Sequence, residues 1–324
     1  MSVDLFGDEI DEFQTAKRRY GVWPFTVWDC DMSDQTTQGL KRAIGDIGAV
    51  RPGAWNTRTA GGGPAEMRKI GKSRQRGSSC GKDSTRTGCF TKPADDASVY
   101  RGKVNASVFN PAVAAWLLNC YSPGAGLCFD PFAGGGTRAV MAAKHGLAYL
   151  GVELRQDEVD AVRARCERCG VSDSVHIECA GSQDCTEIAS DASADFLLTC
   201  PPYWNLEQYD GGDHDLSMCE CYGGFLVGIE SVVRECYRIL KPGAIACWVV
   251  GLHRTRDGEL ICMHHDITRI HRGAGFWVKE EVILAQRNNG AVQRVGNFDK
   301  GDRRLIRTHE YAMIYVKPPR RGGG

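Results

Sequence analysis

The sequence lacks any long apolar run. Its longest, Ala244 to Leu252 (AIACWVVGL), falls far short of the roughly 20 residues that cross a bilayer, so no membrane-spanning role is expected. The first residues, MSVDLFGDEIDEF, are acidic and lack a basic stretch followed by an apolar one, so no secretory signal is expected and a cytoplasmic location is. Net charge is absent too. Forty Lys and Arg balance forty Asp and Glu, which excludes a uniformly polybasic nucleic-acid binder or an acidic tail protein. No internal repeat is evident. Histidine pairs are missing where a zinc site would need them: Cys166-x-x-Cys169 falls in a helical pattern and Cys219-x-Cys221 is followed by no His pair. No metal is therefore expected. The fifteen cysteines read as reduced thiols of a cytosolic protein.

What is present is ordinary globular composition, with 42% hydrophobic and 25% charged residues over 324 positions, enough for a large α/β domain with an appendage. The balanced charge hides an asymmetry. Residues 1–50 hold five bases against nine acids, residues 51–103 twelve against four, and residues 104–317 twenty-one against twenty-seven. The middle segment also holds nine glycines and little apolar periodicity. It cannot bury enough surface to offset the entropy of ordering, and reads as a flexible basic loop or linker. That is either a solvated spacer or an arm that follows phosphates. A second basic stretch, Arg287, Arg294, Lys300, Arg303, Arg304 and Arg307, lies between two strand-like runs. Residues 1–50 include the aromatic run Tyr20–Trp28, poor linker material, and are expected to pack on the main domain. Residues 318–324 read as a disordered tail.

From Asn105 the pattern alternates between helices and short apolar strands. Helices are expected over Pro111–Tyr121, with Asn110 as N-cap, and over Thr137–His145, Gln156–Arg168, Phe225–Leu240 and Ile261–Arg272. Strands are expected over Leu127–Asp130, Ala148–Glu153, Ser174–Cys179, Ala194–Thr199, Ala244–Val250, Phe276–Leu284 and Glu310–Val316. Alternation of this kind predicts an α/β fold with a mostly parallel sheet covered on both faces. The last two strands, with no helix between them, predict an antiparallel hairpin at its edge.

The segment LCFDPFAGGGTRAVMAAKHGLAYLGVEL reads as strand, glycine turn, helix, strand, acid. Glycines let the backbone approach a ligand and turn N–H groups toward it. Glu153, ending the second strand, is placed to accept the hydroxyls of a ribose. The plain alternative is a tight turn that packs a helix on a strand. A dinucleotide site would show G-x-G-x-x-G, whereas here Asp130 precedes the turn. An anion there repels a pyrophosphate but holds an ammonium group. Adenosine joined to an amino acid and a cation describes S-adenosylmethionine better than NAD.

The strand ADFLLT runs into Cys200-Pro201-Pro202-Tyr203. Two prolines fix the backbone and remove two N–H donors, leaving carbonyl acceptors at the ligand-binding edge of the sheet. Tyr203 adds an aromatic face. Methylation of an exocyclic amine needs acceptors for its protons, a flat surface under the base and a nearby methyl donor. A base inside a duplex must first be flipped out. Alone, Pro-Pro-Tyr is more often a turn with a packed ring.

At these residues the sequence resembles the SAM-dependent DNA amino-methyltransferases, the N6-adenine and N4-cytosine modification methylases of phage or restriction-modification type. Asp130–Thr137 is similar to that family's DPFxGxGT motif, and Thr199–Tyr203 to its catalytic [D/N/S]-P-P-[Y/F/W] motif. Phe109-Asn110-Pro111 resembles the segment that packs on the cofactor, and His309-Glu310-Tyr311 through Lys317 the final strand. The resemblance covers roughly residues 105–317 and implies a Rossmann-like methyltransferase fold, with a catalytic domain over 104–317. It implies that Phe109, Asp130, Phe132, Gly134, Gly136 and Thr137 surround S-adenosylmethionine, that Glu153 holds the ribose and that Asp184 contacts the adenine. Cys200, Pro201, Pro202 and Tyr203 would be catalytic, with Tyr203 stacked on a flipped base. The implied partner is double-stranded DNA, in a bacterial or phage-infected cell, with a companion restriction endonuclease as a further partner.

One departure matters. The family places Asp, Asn or Ser before the prolines, and here it is Cys200, whose thiol accepts an amine proton poorly. The Pro201 carbonyl, another group, or a different chemistry such as nucleophilic attack on a pyrimidine ring would have to compensate. The cysteine leaves adenine and cytosine both open as targets. An RNA or tRNA base methyltransferase, a non-catalytic nucleic-acid-binding relative and an NAD enzyme remain alternatives.

Overall fold

The structure is a computed structural model. It describes residues 109–204, 209, 211, 212, 214–255, 258–285, 305 and 307–319, together with the backbone of residues 27–29. The basic segment 51–103, the rest of residues 1–50, nearly all of the 287–307 loop and the end of the tail lie outside the described residues.

In chain order the elements are β1 (Val27–Asp29), α1 (Pro111–Tyr121), β2 (Leu127–Asp130), α2 (Thr137–Lys144), β3 (Ala148–Glu153), α3 (Gln156–Arg168), β4 (Val175–Cys179) and β5 (Ala194–Thr199). There follow α4 (Tyr222–Ile239), β6 (Leu240–Val250), β7 (His253–Arg254), β8 (Leu260–Ile261), α5 (Met263–Ala274), β9 (Trp277–Ala285) and β10 (His309–Val316). Eight strands form one sheet in the order β1-β9-β10-β6-β5-β2-β3-β4. The pairs β2·β3, β3·β4, β2·β5 and β5·β6 are parallel. Only β10 runs against its neighbours, β6 on one side and β9 on the other. The expected mixed α/β sheet and its antiparallel hairpin are both present. The hairpin's outer strand is not the rim, because β1 pairs with it in parallel, Val27 beside Ile283.

Both faces of the sheet are buried, which is why its strands read as continuous apolar runs. Phe196, Leu198, Cys247, Val249 and Ile314 point to one face, under Leu117 of α1, Val140 of α2 and Val162 of α3. Their alternates Leu197, Trp248, Val250, Met313 and Tyr315 point to the other, under Phe225 and Ile229 of α4 and Ile267 of α5. Asn110 caps α1 as expected, its Oδ1 accepting from the Ala112 N–H at 3.0 Å.

Several boundaries shift by one to three residues, among them α5, which runs Met263–Ala274 rather than Ile261–Arg272, and the largest change is where α4 meets β6. A helix to Leu240 and a strand from Ala244 leave Lys241-Pro242-Gly243 between them, but α4 ends at Ile239 and the strand starts at once with Leu240. The triplet rides inside β6 where the register with β5 shifts, with Gly243 at φ 86° taking up the irregularity. Among the described residues no helix is long and apolar enough to cross a membrane.

Candidate active site

The chain order of the strands reverses between β2 and β5: β3 and β4 lie beyond β2, and β6 beyond β5. Ligands of open α/β sheets bind where the order reverses, outside the carboxyl ends of the strands. One cleft opens at this point. It is lined by the glycine turn from Pro131 to Thr137, by Glu153, and by Cys200, Pro201, Pro202 and Tyr203. The two motifs, far apart in the chain, therefore share one cavity.

The glycine turn follows from its surroundings. Gly136 has φ 76°, and a Cβ there would meet Val162 Cγ1 at 2.7 Å, so only glycine lets α2 start this close to α3. At Gly134 a Cβ would meet nothing nearer than the Phe132 carbonyl at 3.8 Å, so the space over the turn is open to a ligand. The Gly134 N–H donates to Glu153 Oε2 at 3.0 Å, and the Arg155 N–H to Glu153 Oε1 at 3.0 Å. Burial pushes the Glu153 carboxyl up to about 7, against these two backbone donors, which favour its charge. Each oxygen retains acceptor capacity for a hydroxyl. This is the site at which the residues present fit the adenosyl group of S-adenosylmethionine.

Asp130 corrects an expectation. It is fully buried and does not line the cleft, so it is not placed to hold a ligand's ammonium. Its Oδ2 accepts from Arg138 Nε at 2.6 Å and from the Tyr149 hydroxyl at 2.7 Å, and its Oδ1 from the Thr199 hydroxyl at 2.6 Å and the Phe132 N–H at 3.0 Å. The carboxylate is thus a strut. It ties the end of β2 to β3, to α2 and to Thr199, the residue before the proline corner. Arg138 also donates to the Phe132 carbonyl and lies over the Phe109 ring, 4.7 Å from its centre.

Asp184 is displaced as well. It is exposed, and its carboxylate accepts from the Thr186 N–H and hydroxyl at 3.0 and 2.6 Å. The wall beyond β4 is made instead by Gly181, Ser182 and Gln183. Ser182 donates to the Pro131 carbonyl, and Gln183 Nε2 donates to the His214 carbonyl at 2.9 Å. Tyr209, His214 and Asp215 close this side. Asp215 holds the segment in shape, accepting from the Ser217 N–H at 2.9 Å and the Gly211 N–H at 3.0 Å. Sequence reasoning missed these residues; the Asp-x-Ser spacing of Asp215 and Ser217 was their one local signal.

At the proline corner the Tyr203 ring lies against Gly251 at the end of β6, where a Cβ would meet Tyr203 Cε2 at 2.8 Å. Trp204 takes φ 45° and is anchored by its Nε1–H donating to the Cys219 carbonyl at 3.0 Å. Its ring packs on Tyr222 and on the edge of His253.

Residues 194–321 match the family described as DNA methylase, the N6/N4 type. The chain resembles the DNA amino-methyltransferases. The matched region begins with β5 and so contains the proline corner and the final strand. A 77-residue stretch is 35% identical to the Type II methyltransferase M.ScaI of Streptomyces caespitosus, spanning 24% of this chain and 25% of that protein. Among solved structures, TrmN from Thermus thermophilus aligns at 17% identity over 64% of this chain and 49% of that one, with a TM-score of 0.45. Geranyl diphosphate C-methyltransferase from Streptomyces coelicolor A3(2) aligns at 14% identity over 64% and 80%, with a TM-score of 0.44. Of the residues expected at the cofactor, Phe109, Phe132, Gly134, Gly136, Thr137 and Glu153 line the cleft, as do all four tetrapeptide residues, while Asp130 and Asp184 do not.

Proposed function

We propose that this chain transfers a methyl group from S-adenosylmethionine to the exocyclic amine of cytosine (N4) or adenine (N6) in DNA, acting on a base turned out of the duplex. The observation that carries the reading is the shared cleft, with the glycine turn and Glu153 on one wall and the Pro-Pro-Tyr corner on the other.

S-adenosylmethionine, when bound, would supply an electrophilic methyl on a sulfonium, and its transfer to the amine would release S-adenosylhomocysteine and one amine proton. The chain's own residues bind and orient. Glu153, held by two backbone N–H groups, accepts from the ribose hydroxyls. Phe132 and the glycines line the cleft beside it. Pro201 and Pro202 leave carbonyl acceptors for the amine protons, and Tyr203 offers the face on which the base stacks, an interaction worth about 1–3 kcal/mol. Positioning of this kind supplies much of the acceleration of such a reaction. The basic segments at 51–103 and 287–307 would contact phosphates, lending affinity without sequence information.

The test is transfer of labelled methyl groups from S-adenosylmethionine to duplex DNA and, separately, to tRNA, with nucleoside mass spectrometry of the product. Label as N4-methylcytosine or N6-methyladenine in DNA supports the reading and names the base. Label in tRNA alone, or in neither, overturns it.

A further inference from the structure

We propose that Glu310 is a positioning residue for the target-base site, acting through Tyr203, whose ring it holds from a neighbouring strand. The inference rests on the methyltransferase reading and goes beyond it. The tetrapeptide carries Cys200 where the family it resembles places Asp, Asn or Ser, each with an oxygen acceptor. Topology brings an acid to the same corner by another route.

Because β10 runs antiparallel to β6, its first residues arrive at the edge where β5 and β6 end. Tyr311 stands opposite Val250, so the preceding residue, Glu310, comes level with Gly251. Gly251 is the residue on which the Tyr203 ring rests. Glu310 Oε1 lies 3.5 Å from the Tyr203 hydroxyl, although 107 positions separate the two residues in the chain. The same hydroxyl lies 3.5 Å from Cys200 Sγ. The phenol thus bridges a sulfur and a carboxylate.

The consequence is directional. A hydroxyl that donates to Glu310 keeps its lone pairs toward Cys200, and the thiol, a weak donor, can point its hydrogen at that oxygen. The ring is then fixed at three places: its own backbone between the prolines and Trp204, the Gly251 surface beneath it, and Glu310 at its tip. A stacking surface fixed before the base arrives loses little freedom on binding. In this arrangement Cys200 belongs to the support of the ring.

The experiment compares Glu310→Leu, Glu310→Gln, Tyr203→Phe and the Leu/Phe double variant in the full chain. Kinetics on DNA and thermal unfolding without substrate are both measured. Removing the acceptor with Glu310→Leu is expected to lower kcat on the order of tenfold with the KM for S-adenosylmethionine unchanged, and Glu310→Gln, which keeps an acceptor oxygen, to restore most of it. The double variant is expected to be no worse than the worse single one, in kcat and in unfolding midpoint alike. Multiplicative losses, an unchanged kcat in Glu310→Leu, or midpoints that simply add would overturn the proposal. If the wild-type protein methylates no DNA, the functional reading fails, and the unfolding cycle still decides whether Glu310 holds Tyr203.

Discussion

Replacing Asp130 with asparagine separates two roles that the sequence cannot tell apart. As a ligand group, Asp130 would contribute to cofactor affinity and little to stability. In the structure it is fully buried against Arg138, itself 5% exposed, and accepts hydrogen bonds from Arg138, Tyr149, Thr199 and the Phe132 amide. Asparagine keeps the shape, but it removes the negative charge and turns one acceptor into a donor facing donors. Removing one partner of a buried ion pair costs about 3–5 kcal/mol, because the other charge is left in a medium that solvates it poorly. A protein whose total stability is about 5–15 kcal/mol loses a large share of it. At roughly 2–4 °C per kcal/mol for a domain of this size, the unfolding midpoint should fall by about 6–20 °C. Thr199→Val, which deletes one charge-assisted hydrogen bond, should cost about 1.5–3 kcal/mol. The assay is thermal unfolding by calorimetry, alongside titration with S-adenosylhomocysteine at a temperature where both proteins are folded. An Asp130→Asn protein that unfolds at the wild-type temperature but binds the cofactor product weakly would refute the strut and restore the ligand role.

Other expectations concern the cleft and the core. Glu153, raised to about 7, must ionise to accept from two hydroxyls, so affinity for S-adenosylhomocysteine should weaken as pH falls below 7, at most about tenfold per unit, with Glu153→Gln flattening the profile. Tyr203→Ala should lower turnover about 5- to 150-fold, the equivalent of one base stack, while cofactor-product binding holds; unchanged turnover would remove the stacking role. Cys200→Ser should keep or raise activity, and complete loss with normal folding would point to covalent chemistry at sulfur. His271, fully buried and stacked 3.8 Å from the Tyr315 ring, is pushed by burial down to about 3. Because the unfolded chain binds that proton near 6.5, its contribution is complete above 6.5 and is lost as pH falls, about 2–3 kcal/mol by pH 4.5. His271→Phe should lose less stability than wild type between pH 7 and pH 4.5. Glu153 works in the opposite sense there, but equally in both proteins, so their difference isolates the histidine. An identical acid loss in both would refute it.

How much of this was legible in the sequence follows from how local each signal is. The bounds of α1, β2, β3, α3 and β5 match those expected, because local signals mark them: Asn110 caps α1, Gly170 at φ 66° follows α3, and the strands are short apolar runs. The glycine turn and the proline corner were legible for the same reason, since their backbone requirements are written in consecutive residues. What was not legible depends on strand order. Asp130 looks like a ligand group when read beside Gly134, but it becomes a strut once β3 and β5 flank β2 and bring Tyr149 and Thr199 to its oxygens. Gln183, rather than its neighbour Asp184, lines the cleft because the Asp184 carboxylate turns back onto Thr186, a local bond that competes with any ligand. The Cys200 anomaly has the same character. Within the tetrapeptide it is a loss of an acceptor; across the sheet, the antiparallel β10 returns an acid to within 3.5 Å of Tyr203. A motif written in consecutive residues therefore locates a site, while the groups that tune it arrive on other strands, at positions that only the sheet's order and register determine.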